Sequence, residues 1–156
     1  MIASVNLALG QEELMEVSVR LIQNDAERDA CYLIRNNVFV DEQGVPPWEE
    51  LDHFDETAQH FVVFIGEQPI GTARLVTLVN GVSRIGRVAI EKYYRGKGYG
   101  KLLIQHIIRT SDQSTTELIL DSQVSVIPFY LQLGFVEEGE VFLDAGIEHR
   151  RMRRNI

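Results

Sequence analysis

Between Arg84 and Lys101 a β-branched run passes through three alternate glycines and straight into an amphipathic segment, and this passage limits the chain more than any other. Gly96, Gly98 and Gly100 let the backbone turn and approach a ligand with no Cβ in the way. The helix that follows offers unpaired N–H groups and the positive end of its dipole to an anion. The stretch carries Arg84, Arg87, Lys92, Arg95, Lys97 and Lys101 against Glu91, a local balance of +5 in a chain of net charge −8. The remainder is therefore strongly acidic. A basic island of this size suits a small polyanion, whereas nucleic acid would favour a broad basic face.

With 156 residues, 45% of them hydrophobic, the chain fits one domain with a sizeable core. Cys31 is the single cysteine, which excludes a disulfide scaffold and reads as a small buried hydrophobe. No apolar run approaches the roughly 18 residues of a membrane span. The first Lys or Arg is Arg20, so the basic start of a signal peptide is missing and a cytoplasmic protein is the expectation.

Residues 1–15 read as a loosely held extension. Val17, Val19 and Leu21 alternate with polar residues as in a half-buried strand over 16–23. Asn24 and Glu27 form a capping-box pattern, and apolar residues then recur at helical spacing to about Val40. The acidic segment 41–59, with Gly44, Pro46 and Pro47, reads as irregular. Strands are predicted over 61–65, 70–79 and 82–90, with Asn80-Gly81 as the hairpin turn between the last two. A helix over 99–110, a strand over 117–120, a short helix over 125–133 capped by Gly134, and strands over 135–143 and 147–154 follow. The order β α β β β α β α β β predicts an α/β sandwich on a mixed sheet.

Other glycine-loop readings compete. A dinucleotide fingerprint needs G-x-G-x-x-G, but Lys101 occupies the third position, although Asp121 lies about where a ribose carboxylate would. A P-loop lacks its G-x-x-x-x-G-K-[ST]. A surface turn that merely needs glycines leaves the cation cluster unexplained.

Arg95-Gly96-Lys97-Gly98-Tyr99-Gly100 matches R-x-x-G-x-G/A, with Val88-Ala89-Ile90 as the strand before it. Gln123, then Phe129-Tyr130, then Leu133-Gly134-Phe135 form a second signature in the right order. On these residues the chain resembles the GNAT acetyltransferase superfamily, and the segment from Val38 to Pro46, with Glu50, Asp52 and Asp55 after it, is similar to the YjcF/ElaA-like branch. The resemblance covers roughly residues 16–154 and implies a GNAT acyl-CoA N-acyltransferase fold, a mixed, mostly antiparallel sheet flanked by helices.

It also implies acetyl-CoA as acyl donor, with no metal. Backbone N–H groups from Gly96 through Lys97, Gly98, Tyr99 and Gly100 to Lys101 would take the pyrophosphate, with Arg95 and the lysines adding charge. Val88 and Ile90 would pair with the pantetheine arm as if it were an added strand. Gln123 would stand beside that arm, unless it only caps the next helix, and Phe129 would complete the cofactor side. Tyr130 would protonate the departing CoA thiolate, a thiol of pKa about 8.5 facing a phenol of about 10. The alternative is that Tyr130 simply packs in the core.

An attacking amine must first lose a proton, at about 4.6 kcal/mol at pH 7 for a lysine-like amine and about 1 for an α-amino group. Many relatives use a Glu on the strand before the loop, but residues 85–89 contain no carboxylate. Glu42, Asp121 and His60 are the candidate bases, directly or through water. Glu42, Asp52, Asp55 and His60 are the candidate acceptor-site residues, because Asp41 to Glu56 holds seven acids and no Lys or Arg. That run is either a solvated face or a pocket attracting an ammonium group. Neither EF-hand spacing nor a His pattern for metal is present. Arg150, Arg151, Arg153 and Arg154 read as strand solvation rather than as a phosphate or carboxylate site. Cys31 lies outside both signatures, so direct transfer in a ternary complex is expected. A noncatalytic acyl-CoA-binding module, or an acyltransferase using another acyl chain or acceptor, remains the alternative. The acceptor is a small-molecule or peptide amine, and a homodimer is compatible with the chain.

Overall fold

The computed structural model describes residues 3–9 and 13–156, with side chains from Met15 onward. Among these residues eight strands form one sheet: β1 (Ala3–Leu9), β2 (Glu13–Leu21), β3 (Gln59–Ile65), β4 (Gln68–Thr77), β5 (Val82–Ile90), β6 (Glu117–Gln123), β7 (Val136–Asp144) and β8 (Ile147–Asn155). Their order across the sheet is β1-β2-β3-β4-β5-β6-β8-β7. Every ladder is antiparallel except β5 with β6. Parallel strands cannot be joined by a tight turn. The connection here runs through α3 (Tyr99–Thr110).

Helix α1 (Asp25–Arg35) starts where Asn24 accepts from the Glu27 N–H at 2.9 Å, while Glu27 accepts from the backbone N–H of Gln23. The predicted helix to Val40 is two pieces. After Arg35 the chain widens into a π-helical turn, Asn36–Glu42, rather than continuing as α-helix. The segment expected to be irregular contains the short α2 (Pro47–Glu50), begun by its proline, and a 3₁₀ turn at His53–Glu56. Near the C-terminus, α4 (Ile127–Leu131) is preceded by a 3₁₀ turn.

Alternation in the central strands assigns the two faces. Ala73 and Leu75 of β4 and Ile85 of β5 join Leu103, Ile104 and Ile107 of α3 in the main core. Thr72, Arg74 and Val76 therefore point to the opposite face, where α1 packs on β3, β4 and β5 and a smaller cluster forms from Ile34, Val38 and Ala89. Between Thr72 and Arg74 the register with β5 shifts, so that Arg87 is an extra residue, and its φ of 51° marks a bulge.

Histidines 60 and 106 are both buried, 3% and 2% exposed, and burial lowers the pKa of each. In the unfolded chain both would bind a proton near pH 6.5, whereas the native state keeps them neutral to a lower pH. Stability is therefore fully present above about pH 6.5 and declines as pH falls through that value toward the lower native one. We expect Tm measured between pH 8 and pH 5 to fall on the acid side. His106→Leu, whose ring now packs edge-on against Phe61, should flatten the slope; an unchanged slope would remove His106 from the account.

Candidate active site

The parallel ladder between β5 and β6 is only four residues long, Val82–Ile85 against Glu117–Leu120. Beyond it β5 continues to Ile90 paired only with β4, and β6 continues to Gln123 paired only with β8. The sheet opens there like a V. A cavity of about 670 Å³ occupies the opening, with Val88 and Ile90 on one wall, Asp121 and Gln123 on the other, and Tyr130 from α4 reaching in.

Arg95 lines one end of the cavity, and the glycine loop that follows, Gly96 to Lys101, lies beyond the lining, as does Phe129. Gly96 and Gly98 have φ of 73° and 90°, a region open to glycine and strained for other residues. The turn they make leaves the backbone N–H groups from Gly96 to Lys101 without an acceptor among the described residues, the first intrahelical bond of α3 being Leu102 N–H to Gly98 O. A Cβ on Gly100 would stand 3.5 Å from Phe129, so the helix start rests against that ring. Lys97 and Lys101 are exposed, whereas the Tyr99 side chain is buried in the core and contributes only backbone to the loop. Arg95 is tied down: it donates to both oxygens of Glu42 at 2.9 Å and to Ile90 O at 2.8 Å. Glu42 is thus engaged as the partner of Arg95 and does not line the cavity.

The basic island divides. Arg84 and Arg87 turn away from the glycine loop toward the acidic segment, and both line the other end of the cavity. There Arg35, Arg74 and Arg87 meet Glu50, Asp52 and Asp55. Arg35 is 1% exposed and contacts Glu50 at 2.6 Å and Asp55 at 2.7 Å. Arg74 grips Asp52 at 2.7 and 2.8 Å and Asp55 at 2.8 Å. Arg87 donates to Glu50 O at 2.8 Å, which holds the bulge against α2.

This network alters the reading of the acidic run, which local composition presents as acids without counterions. Burial alone would push the Asp55 carboxyl up, but hydrogen bonds from Arg35, the Asp52 N–H and Arg74 outweigh it and hold it well below the usual carboxylate range. Asp55 and His60 do not line the cavity, and the His60 ring instead pairs with Asp55 O at 2.9 Å behind its wall. Asp52 does line it, with both oxygens on Arg74. Asp121 lines it too and is paired with Arg151. Gln123 donates to Gln43 at 2.8 Å, joining the end of β6 to the turn after α1. The arginines of this wall were missed because their partners are far away in sequence. The available signal was charge in apolar positions: Arg35 on the inner face of α1 and Arg74 in mid-strand.

Tyr130 is 6% exposed, in edge contact with Phe129 and Phe135. Its hydroxyl has no partner among the described residues, and the residue lines the cavity. Burial raises its pKa above that of an ordinary phenol. The group stays protonated at neutral pH, as a proton donor requires.

Among the described residues no helix is long and apolar enough to cross a membrane, and no cluster of His, Cys, Asp or Glu is arranged to hold a metal. A split parallel pair, a helix start with free N–H groups and a buried phenol between them define an acyltransferase of the GNAT class. The GNAT acetyltransferase domain family matches residues 24–156, and the chain belongs to that family. It is 31% identical over 137 residues to the uncharacterised N-acetyltransferase YjcF of Bacillus subtilis, covering 86% of this chain and 97% of that one. An acyl-CoA N-acyltransferase of Pseudomonas aeruginosa superposes with a TM-score of 0.79 at 28% identity, over 90% of this chain and 99% of the other. Escherichia coli ElaA shares the fold, with a TM-score of 0.78 at 23% identity over 90% and 99% of the two chains.

Proposed function

We propose that this chain is a single transferase domain that moves an acetyl group from acetyl-CoA to an amine by direct attack in a ternary complex, with the cytoplasm as its setting. The observation that carries this reading is Tyr130 lining the cleft where β5 and β6 part, its hydroxyl without a hydrogen-bond partner among the described residues. The free N–H groups of Gly96 to Lys101 bind the pyrophosphate, with Lys97 and Lys101 adding charge. The unpaired edge of β5 from Gly86 to Ile90 takes the pantetheine arm in place of a strand, and its N–H groups polarise the thioester carbonyl. The amine attacks that carbonyl carbon, the C–S bond breaks, and the thiolate takes its proton from Tyr130. The amine's own proton leaves through water held by Asp121, the candidate base that faces the cavity. Asp52 and Asp121, each held by an arginine, keep further carboxylate lone pairs that can accept from an ammonium group in the cavity.

The test is release of free CoA thiol from acetyl-CoA over a panel of amines, alongside calorimetric titration of acetyl-CoA. Reversing Lys97 and Lys101 to glutamate, both exposed and remote from the core, should weaken acetyl-CoA binding by about tenfold or more at low salt, and less as salt screens the loop. Equal affinity in the reversed variant would detach the phosphates from this loop. Tight binding with no thiol released by any amine would favour a noncatalytic binding module.

A further inference from the structure

Of the four arginines that line the cavity, Arg84 is set apart. Arg74, Arg87 and Arg95 each hold carboxylates or carbonyls of the protein. Arg84 makes neither ion pair nor hydrogen bond among the described residues. Its guanidinium instead lies 4.9 Å from the centroid of the Phe54 ring, half-buried. An aromatic face orients a cation without neutralising it, and the donors of the guanidinium fork stay available. The place is not a crowded one. Arg84 pairs across the sheet with Val76 on β4 and Ile119 on β6, neither of which offers an acceptor from its side chain. Two residues on, Gly86 lines the same cavity without a side chain, and a Cβ there would meet only Arg74, at 3.7 Å. A partly desolvated cation with free donors, beside open volume, is complementary to a planar anion.

We propose that Arg84 binds a carboxylate of the acceptor, so that the substrate is an amino acid or another amine bearing a carboxylate. This rests on the transferase reading and narrows it. The acceptor's ammonium group donates to lone pairs that Asp121 or Asp52 keeps beyond its arginine partner, its carboxylate meets Arg84, and the cavity is matched to a molecule charged at both ends. An amine lacking the carboxylate leaves Arg84 without its partner.

Matched pairs of acceptors that differ only in the carboxylate, L-phenylalanine against phenethylamine and L-lysine against cadaverine, test this by thiol release from acetyl-CoA. The carboxylated member of each pair should have the higher kcat/KM. Arg84→Gln should abolish the preference by raising KM for that member about 10- to 100-fold, with kcat and acetyl-CoA affinity unchanged, and Arg84→Lys should recover part of it. A second readout needs no turnover: N-acetyl-L-phenylalanine should shield Arg84 from phenylglyoxal, mapped by mass spectrometry, and N-acetylphenethylamine should not. Thiol release with no preference within pairs, or a preference that survives in Arg84→Gln, overturns the carboxylate assignment and leaves the transferase intact. Shielding of Arg84 without thiol release from any amine overturns the transferase and leaves the anion site standing.

Discussion

Tyr130→Phe is expected to bind acetyl-CoA like the parent chain and to release CoA thiol about 10²- to 10⁴-fold more slowly, the range that general acid catalysis contributes. The substitution removes one oxygen and keeps the ring, so the edge contacts with Phe129 and Phe135 survive and the fold is undisturbed. The hydroxyl makes no hydrogen bond among the described residues, so its loss leaves no buried group stranded. The defect should therefore appear in kcat, with the dissociation constant for acetyl-CoA unchanged. Because burial raises the phenol's pKa, the parent activity should show no loss of the acid form up to pH 9. A variant turning over at the parent rate would reduce Tyr130 to a packing residue.

The second large effect falls on stability. Arg35→Met leaves Glu50 and Asp55, 5% and 7% exposed, as buried carboxylates short of their principal cation. Breaking a buried pair from one side costs about 3–5 kcal/mol. For a chain of this size that corresponds to a fall in Tm of roughly 6–20 °C. The exposed pair Arg28–Asp25 is the control, since Arg28→Met should change stability by less than about 0.5 kcal/mol. The pH dependence separates charge from packing. Asp55 has a native pKa below its unfolded value, so its contribution is complete above about pH 3.9 and is lost as pH falls through the native value. The parent should thus lose its advantage over Arg35→Met only in strong acid. A cost below 1 kcal/mol at neutral pH would mean that water, rather than Arg35, satisfies the two carboxylates.

What could be read along the chain depended on how local the cause was. The Asn24–Glu27 cap lies within four residues and was legible. So was the Asn80-Gly81 turn, where both residues take positive φ. The helix that begins at the glycine loop and the short helix that carries Tyr130 could be placed because helix starts and short signatures are contiguous. The acidic run misled for the opposite reason: the guanidinium groups that hold Asp52 and Asp55 come from Arg35 on a helix and Arg74 on a strand, brought together only by packing. Arg84 and Arg87 were counted with the loop cations they adjoin in sequence, yet the strand's alternation and the extra residue at Arg87 direct them to the other end of the cavity, toward the acidic segment. The π-helical turn after α1 was equally hidden, since apolar spacing alone does not separate it from a continued α-helix.

The four-residue ladder between β5 and β6 makes the sheet two plates joined by a short hinge. One plate carries the glycine loop at its margin, and the other is held mainly by β8 and the α4 turn. On the proposed function, a donor lying in the gap would supply hydrogen bonds that the second strand does not, and so complete the sheet as it binds. Occupancy and rigidity would then be one equilibrium, with the donor a removable structural member and the acceptor meeting a finished wall only after the donor had arrived.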